Sequence, residues 1–210
     1  MANSNVVLIQ FAKRPIPGLV KTRLIPALGV VEAARVHEEL LRLTLGILQD
    51  SKLGSVQLWW DESWDDQAYM GRFGGRQLLS TSVQQGQDLG ERMFQALQSQ
   101  LVDAEKVVLV GSDCPVLSSQ YLHAAIKTLD VYDMVLGPAD DGGFVLIGAS
   151  KLTEGCLTGI EWGVATALSQ TREKAQSSGL SLGLLDMLWD VDVPADYQRW
   201  LSILKNETPY

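Results

Sequence analysis

A basic loop is the first part of the sequence whose residues could bind a substrate. The first 31 residues contain no Asp or Glu, although the chain as a whole has a net charge of −8. They carry four cationic side chains: Lys13, Arg14, Lys21 and Arg23. Lys and Arg form charge-assisted hydrogen bonds with phosphate oxygens, which indicates a site for a compact anion. With no acid in the segment, the nearest strong anion of Lys21 and Arg23 is expected to be the ligand. An ordinary solvated loop is the alternative.

Carboxylates are grouped at three later points, where they could hold a metal ion or a proton. Asp113 follows an apolar run, Asp140 and Asp141 follow another, and Asp190 and Asp192 precede a helix-like stretch. Mg²⁺ usually takes one or two carboxylates together with phosphate oxygens. Adjacent carboxylates repel each other unless a cation or a donor lies nearby. A turn or a helix cap would also explain each of these groups without any chemistry.

These loops must be positioned by strands that alternate with helices. Seven apolar runs predict strands: Val6–Ala12, Val56–Trp60, Leu78–Ser80, Lys106–Gly111, Asp133–Gly137, Phe144–Ala149 and Leu180–Leu185. Five longer stretches predict helices: Val31–Asp50, Asp88–Val102, Ser118–Leu129, Val164–Ser178 and Pro194–Leu204. Asp88 and Glu91 have the spacing of a capping box. The alternation predicts an α/β fold of three layers, α/β/α, with a mostly parallel central sheet whose chemistry gathers at the carboxyl ends of the strands.

Composition excludes several classes of protein. The 210 residues are 46% apolar and 20% charged, which suits one globular domain spanning residues 1–210. No apolar run approaches the ~18–20 residues of a membrane span, and no signal peptide is recognisable, so a cytoplasmic location is expected. The acidic net charge argues against a nucleic-acid surface. Cys114 and Cys156 are too few for a disulfide framework. The basic loop is neither a dinucleotide-binding fingerprint nor a P-loop, and no serine-hydrolase motif occurs.

Several strings carry a resemblance to known families. The pattern K-x-P-x-P-G-x-x-K-T-R-L, from Lys13 to Leu24, resembles the opening of a bacterial glycosyltransferase-like family with the nucleotide-diphospho-sugar transferase (GT-A) fold. Its K-T-R-L part also resembles the nucleotidyltransferases that guanylylate phospholactate. The string from Trp189 to Asp196 resembles one found late in molybdenum-cofactor-type nucleotidyltransferases. Matches at 85–92, 111–115, 138–143 and 160–163 extend the resemblance over nearly the whole chain.

The resemblance implies a set of site residues. Residues expected to bind the nucleotide are Ala12, Lys13, Gly18, Lys21, Arg23 and Arg92. Asp113 is expected to ligate Mg²⁺ or Mn²⁺, with Asp190 or Asp192 as a second ligand. Asp140 or Asp141 is expected to be catalytic, accepting a proton from the acceptor hydroxyl or orienting it. Phe144, Val164 and Val193 depart from the family pattern, which has Tyr, Thr and Thr at these positions.

The leading functional hypothesis is a metal-dependent transferase that moves a glycosyl group from a nucleotide-diphospho-sugar to a small acceptor. An alternative is a nucleotidyltransferase, which uses a nucleoside triphosphate and a phosphorylated or acidic acceptor and releases pyrophosphate. A nucleotide-binding module without turnover is a third hypothesis, because Phe144 and Val164 replace hydroxyl-bearing residues. The expected partners are therefore a nucleotide or nucleotide-sugar donor and a small-molecule acceptor.

The remaining reactive side chains are interpreted as structural. His37 and His123 fall in predicted helices without a His, Cys or acidic partner at ligand spacing. Cys114 lies beside Asp113, and a neighbouring carboxylate raises the pKa of a thiol. A nucleophilic role for Cys114 is therefore not expected. Asp196 is expected to complement the dipole of the helix that begins at Pro194.

Overall fold

A computed structural model describes residues 5–65, 69 and 80–207. Its strands are β1 (Val6–Ala12), β2 (Ser55–Trp60), β3 (Ser80–Val83), β4 (Lys106–Val110), β5 (Met134–Pro138), β6 (Phe144–Ala149) and β7 (Leu182–Leu184). Its α-helices are α1 (Ile25–Leu28), α2 (Val30–Ser51), α3 (Leu89–Gln100), α4 (Ser119–Thr128), α5 (Ala167–Ser177) and α6 (Pro194–Glu207), and a 3₁₀ turn covers Thr22–Leu24. The predicted strand Leu78–Ser80 overlaps β3 only at Ser80, because Leu78 and Leu79 lie outside the described residues.

All seven strands form one sheet in the order β3-β2-β1-β4-β6-β5-β7. Every pair is parallel except those that involve β6, which runs antiparallel to both β4 and β5. Only five residues, 139–143, connect β5 to β6, whereas a parallel crossover needs a dozen or more. The prediction of a mostly parallel α/β sheet is confirmed.

The sheet is covered on both faces. In β1, Val7, Ile9 and Phe11 pack on the side of α3 and α5, while Val6 and Leu8 pack on the side of α2 and α4. Residues alternate between the faces along a strand, so a run such as VVLIQFA is apolar throughout only when both faces are buried. Helix α6 packs through Tyr197 and Trp200 against the apolar side of α2. The predicted three-layer arrangement is therefore present.

Local capping follows the sequence closely. The Asp88 side chain accepts a hydrogen bond from the backbone N–H of Glu91 (2.9 Å), and the Glu91 carboxylate accepts one from Gln87 N–H (2.8 Å). The predicted capping of α3 by Asp88 is confirmed, whereas the Glu91 carboxylate bonds Gln87 rather than the N-cap residue of the predicted capping box. Among the described residues, no helix combines the length and the apolar character needed to cross a membrane.

Candidate functional site

The carboxyl ends of β1 and β4 bring the basic loop and the first acidic loop together. These strands are neighbours, with Gln10 opposite Val110, so the residues that follow them emerge at the same edge of the sheet. Lys21 Nζ lies 2.8 Å from Asp113 Oδ1, although the two residues are far apart in the chain. Two predicted site residues from different segments of the chain are thus in direct contact.

The contacts of Lys21 link the basic loop to the segments that contain Asp113 and Val191. Its Nζ also donates a hydrogen bond to the carbonyl of Val191 (2.6 Å), and Val191 N–H donates to the carbonyl of Asp113 (2.9 Å). The side chain is only 4% exposed, and the backbone of Lys21 has φ 47° and ψ 42°, a left-handed conformation. Such a conformation costs a non-glycine residue roughly 1–2 kcal/mol, so these contacts must hold it.

Asp113 is surrounded by positive and potentially positive groups. His37 Nδ1 lies 3.8 Å from its Oδ1, and His37 Nε2 lies 2.9 Å from the carbonyl of Lys13. Burial opposes ionisation of this carboxyl, but the Lys21 ammonium and the His37 ring hold the pKa of Asp113 well below its usual range. His37 is interpreted as structural because no acidic residue lies at ligand spacing in the sequence; helix α2 nevertheless brings it close to Asp113, just beyond the end of β4.

Arg23 pairs with Asp192 of the third predicted acidic group. Its Nη1 forms an ion pair with Asp192 Oδ2, and both side chains are largely exposed. The expectation that Lys21 and Arg23 have no protein anion nearby is therefore wrong, since each contacts a predicted metal ligand. The Asp196 carboxylate accepts hydrogen bonds from the N–H groups of Asp192 (3.0 Å) and Val193 (2.8 Å), which confirms its role at the start of α6.

Asp190 lies among other carboxylates. Burial, together with the negative charges of Asp141, Asp113 and Asp192, raises the pKa of Asp190 to about 7 despite the nearby Lys21 ammonium. Burial also raises the pKa of the Cys114 thiol to about 11, with Asp190 contributing. Sequence reasoning anticipated the direction of the thiol shift but attributed it to Asp113. A carboxylate held at such a pKa is readily neutralised by a proton or by a cation.

The carboxylates of the adjacent residues Asp140 and Asp141 have different partners. Asp141 Oδ1 accepts a hydrogen bond from Gly143 N–H (2.8 Å), and its side chain lines a mostly apolar cavity beside the β5–β6 hairpin. Asp140 Oδ2 instead pairs with Arg199 Nη1 of α6 (3.0 Å). Asp140 is not among the described residues that line this cavity or the polar cavity next to it. The geometry therefore favours Asp141 over Asp140 as a group that meets a substrate.

A buried hydrogen-bond network that sequence reasoning missed supports the Asp113 loop. Gln10 Nε2 donates to Ser112 Oγ (2.8 Å) and to the carbonyl of Leu41 (3.1 Å), and Ser112 Oγ donates to the carbonyl of Phe11 (2.8 Å). A polar residue inside the VVLIQFA strand was the available signal, because buried polar groups require partners. The network links β1, α2 and the end of β4, which positions Asp113.

Two of the other predicted nucleotide contacts, Ala12 and Lys13, line the same crevice, whereas Gly18 and Arg92 are not among its described lining residues. Ala12 ends β1 and lines the crevice with Lys13, while Gly18 shapes the loop at φ 88°, a region that favours glycine. Arg92 Nε donates to the carbonyl of Gly86 (3.2 Å), and in the described part of the chain it lines neither cavity. Arg14 pairs with Asp61 (3.5 Å) and Glu62, which holds it against the end of β2.

Two adjoining cavities occupy this edge of the sheet and share Phe11, Leu89 and Gly111 in their walls. The loop cavity, of about 310 Å³, is lined by the basic loop and by polar side chains: Lys13, Lys21, Arg23, His37, Asp113 and Asp192. The hairpin cavity, of about 210 Å³, lies beside the β5–β6 hairpin and is mostly apolar; its walls include Asp141, Phe144, Ile147, Trp162, Val164 and Asp190.

The carboxylates at the junction are chemically suited to a hard divalent cation. Asp113 offers carboxylate oxygens as ligands. A positive ion would also reduce the electrostatic repulsion between Asp190 and its acidic neighbours. Among the described residues, no three His, Cys, Asp or Glu side chains form a ready metal cluster. This is compatible with Mg²⁺ or Mn²⁺, which often takes one or two carboxylates and completes its shell with phosphate oxygens and water.

Comparisons with known proteins assign the chain to a family. Residues 44–164 match the family described as "Uncharacterized protein conserved in bacteria (DUF2064)", and the chain belongs to it. A comparison with curated protein sequences finds no match. The structure is similar to a solved Desulfovibrio desulfuricans G20 protein that carries the provisional name nucleotide-diphospho-sugar transferase. The two are 32% identical, with a TM-score of 0.86 over 98% of this chain and 90% of that one.

More distant solved structures share the fold. A CMP:2-keto-3-deoxy-manno-octonic acid synthetase complexed with CTP is 11% identical, with a TM-score of 0.62 over 98% of this chain and all of that one. The Rv0371c protein of Mycobacterium tuberculosis H37Rv, in complex with manganese, is 16% identical, with a TM-score of 0.59 over 95% of this chain and 99% of that one. The resemblance to the nucleotide-diphospho-sugar transferase fold is thus confirmed.

Proposed function

We propose that this protein is a metal-dependent transferase that moves a glycosyl group from a nucleotide-diphospho-sugar to a small acceptor. The observation that carries the proposal is the junction of the two cavities. A cavity with three cations opens beside the carboxylates Asp113 and Asp190, and a mostly apolar cavity adjoins it. The named transferase at 32% identity supports the same class of reaction.

The donor's phosphates belong in the loop cavity. Lys13, Lys21 and Arg23 line it and can each donate charge-assisted hydrogen bonds to phosphate oxygens. Gly18 lets the loop turn around the ligand, and the end of β1 at Ala12 forms the floor. Arg92 acts by positioning, because it fastens the Gly86 turn at the edge of the site.

A divalent cation, Mg²⁺ or Mn²⁺, would be held by Asp113 and by Asp190 or Asp192, and when bound it would neutralise charge developing on the leaving diphosphate. Lys21 and Arg23 supply the remaining positive charge in a preorganised form, which is the principal electrostatic contribution to such transfers. Lys21 is well placed for this, because the ammonium that contacts Asp113 also lines the phosphate cavity.

Asp141 is the proposed proton acceptor. It lines the hairpin cavity and is exposed, and its orientation is fixed by the hydrogen bond from Gly143. A general base must lie within hydrogen-bond reach of the hydroxyl it deprotonates, and Asp141 can reach a hydroxyl bound in that cavity. Asp140, which pairs with Arg199, serves instead to hold the hairpin against α6.

Nucleotidyl transfer is the second candidate, favoured by the synthetase with bound CTP that shares this fold. The two reactions release different products, so one assay separates them. Incubating the protein with Mn²⁺, a panel of small alcohols and UDP-, GDP- or CDP-sugars should release the nucleoside diphosphate. Release of pyrophosphate from UTP, GTP or CTP would favour the second candidate. Nucleotide binding with neither product would favour a binding module without turnover.

A further inference from the structure

The hairpin cavity differs in chemistry from the loop cavity beside it. Aromatic and aliphatic side chains form most of its wall, and Phe144 and Trp162 meet there edge to face, with ring centroids 6.1 Å apart and planes at 81°. Among the described residues that line it, none is Lys or Arg; the charged groups are the carboxylates Asp141 and Asp190. The cations Lys13, Lys21 and Arg23 line the loop cavity instead.

This distribution of charge selects against an anionic ligand. A carboxylate or phosphate in the hairpin cavity would lose its hydration to apolar walls and would be repelled by the Asp141 carboxylate, with no Lys or Arg among the described lining residues to offset that repulsion. A neutral molecule avoids both costs, and its hydroxyl can donate a hydrogen bond to a carboxylate oxygen.

The size of the cavity limits the ligand further. Its volume of about 210 Å³ is below the ~300–1,000 Å³ that is usual for drug-sized ligands. A molecule with one ring, or an aliphatic body of similar size, fits this volume. The perpendicular faces of Phe144 and Trp162 offer one ring-sized corner in which such a body would be in contact on two sides.

We propose that the acceptor is a small uncharged alcohol with an apolar, single-ring-sized body, bound in the hairpin cavity with its hydroxyl at Asp141. This inference rests on the proposed function for the identity of the second reactant. In the transfer, the hydroxyl oxygen forms a bond to the anomeric carbon of the donor sugar, and the bond from that carbon to the diphosphate oxygen breaks. The diphosphate leaves with the bonding electron pair, and the hydroxyl proton passes to Asp141.

Ligand-observed saturation-transfer NMR tests the inference without any turnover. The probes are matched pairs: benzyl alcohol against benzoate, and cyclohexylmethanol against cyclohexanecarboxylate. The alcohol of each pair should bind at least fivefold more tightly than the carboxylate. Asp141→Asn keeps an oxygen for the Gly143 N–H and removes one negative charge, so it should narrow the difference between alcohol and carboxylate. Asp130→Asn, the same change at an exposed carboxylate that pairs with Lys106 away from both cavities, should leave the difference between alcohol and carboxylate unchanged.

Three results would overturn the inference. One is equal or tighter binding of the carboxylates by the parent protein, and another is an unaltered preference in Asp141→Asn. The third is displacement of the alcohols by uridine or guanosine alone, which would make the hairpin cavity the site of the nucleobase. If the alcohols bind as expected and no nucleoside diphosphate binds in Mn²⁺, the acceptor site stands and the proposed function fails.

Discussion

Lys21 and Asp113 neutralise each other in this structure, and that pairing has a consequence for metal binding. The ammonium lies 2.8 Å from the carboxylate and the lysine side chain is 4% exposed, so the protein supplies its own counter-ion at the proposed metal ligand. A metal ion arriving without a nucleotide must compete with this charge. When a nucleotide binds together with the metal, its phosphate can pair with the ammonium in place of Asp113. We therefore expect metal and nucleotide to bind jointly.

Lys21→Met tests that competition at the level of one charge. Methionine retains most of the apolar stem but removes the ammonium, so Mn²⁺ alone should bind about tenfold more tightly, equivalent to ~1.4 kcal/mol. The free Mn²⁺ signal in electron paramagnetic resonance measures this affinity. Lys13→Met, a change of the same type at an exposed position of the same loop, should leave Mn²⁺ binding as it is in the parent. An unchanged Mn²⁺ affinity in Lys21→Met would mean that the Lys21 ammonium does not compete with a metal ion for Asp113.

Arg23 provides a test of phosphate binding. Its ion pair with Asp192 is exposed, and such pairs contribute only ~0–1 kcal/mol to stability. A charge-assisted contact to phosphate is worth about 1.5–3 kcal/mol. Arg23→Ala should therefore weaken UDP at least tenfold, leave uridine nearly unaffected and barely move the melting temperature, all measurable by calorimetry. Equal losses for UDP and uridine would mean that Arg23 shapes the loop rather than contacting phosphate.

The sequence allowed part of this residue-level site to be predicted. Lys21 and Asp113 were expected near each other because both follow parallel strands, and they are in contact. The approach of His37 to Asp113 was not predictable, since it depends on how helix α2 packs across the sheet and no local spacing encodes it. The division of work between Asp140 and Asp141 depended on Arg199, which α6 brings from the end of the chain.

Helix α6 begins after a residue that departs from the family pattern. Val193 has no side-chain oxygen with which to cap the first helical turn, but Asp196, one turn later, accepts hydrogen bonds from the N–H groups of Asp192 and Val193 and so stabilises the same end of the helix. Removing a cap typically costs ~0.5–2 kcal/mol. Asp196→Ala should lower the free energy of unfolding by about this amount in a urea titration. Val193→Thr in the Asp196→Ala background should restore part of it, and no loss in Asp196→Ala would mean that the cap is dispensable.

The elements themselves were largely readable from the sequence. Strands β1 and β6 have the predicted bounds, and the predicted α6 begins correctly at Pro194. The direction of β6 was not inferred, although the short connection 139–143 fixes it as one arm of a hairpin. This direction matters, because the hairpin tip returns Asp141 and Phe144 to the same edge as Asp113 and so builds the second cavity.

At the scale of the whole molecule, the fold concentrates opposite charges at one edge of an acidic protein. The chain has a net charge of −8, yet Lys13, Lys21 and Arg23 of the acid-free segment line the crevice beside the acidic loops. Anionic ligands approaching this body should be attracted chiefly at that crevice, while the hairpin cavity beside it remains free of cations among its described lining residues. Two reactants of different polarity can therefore bind side by side.

The central claim, that a metal ion on Asp113 links the protein to a nucleoside diphosphate, is tested most directly by calorimetric titration of UDP, GDP and CDP with Mn²⁺ and with EDTA. We expect Asp113→Asn to weaken binding of the best-binding diphosphate at least tenfold in Mn²⁺ but to change its affinity little in EDTA. Asp140→Asn, the matched change at the carboxylate that pairs with Arg199, should stay within about twofold of the parent in both conditions. If Asp113→Asn binds the diphosphate in Mn²⁺ as tightly as the parent does, then Asp113 does not hold a metal ion that links the protein to the nucleotide.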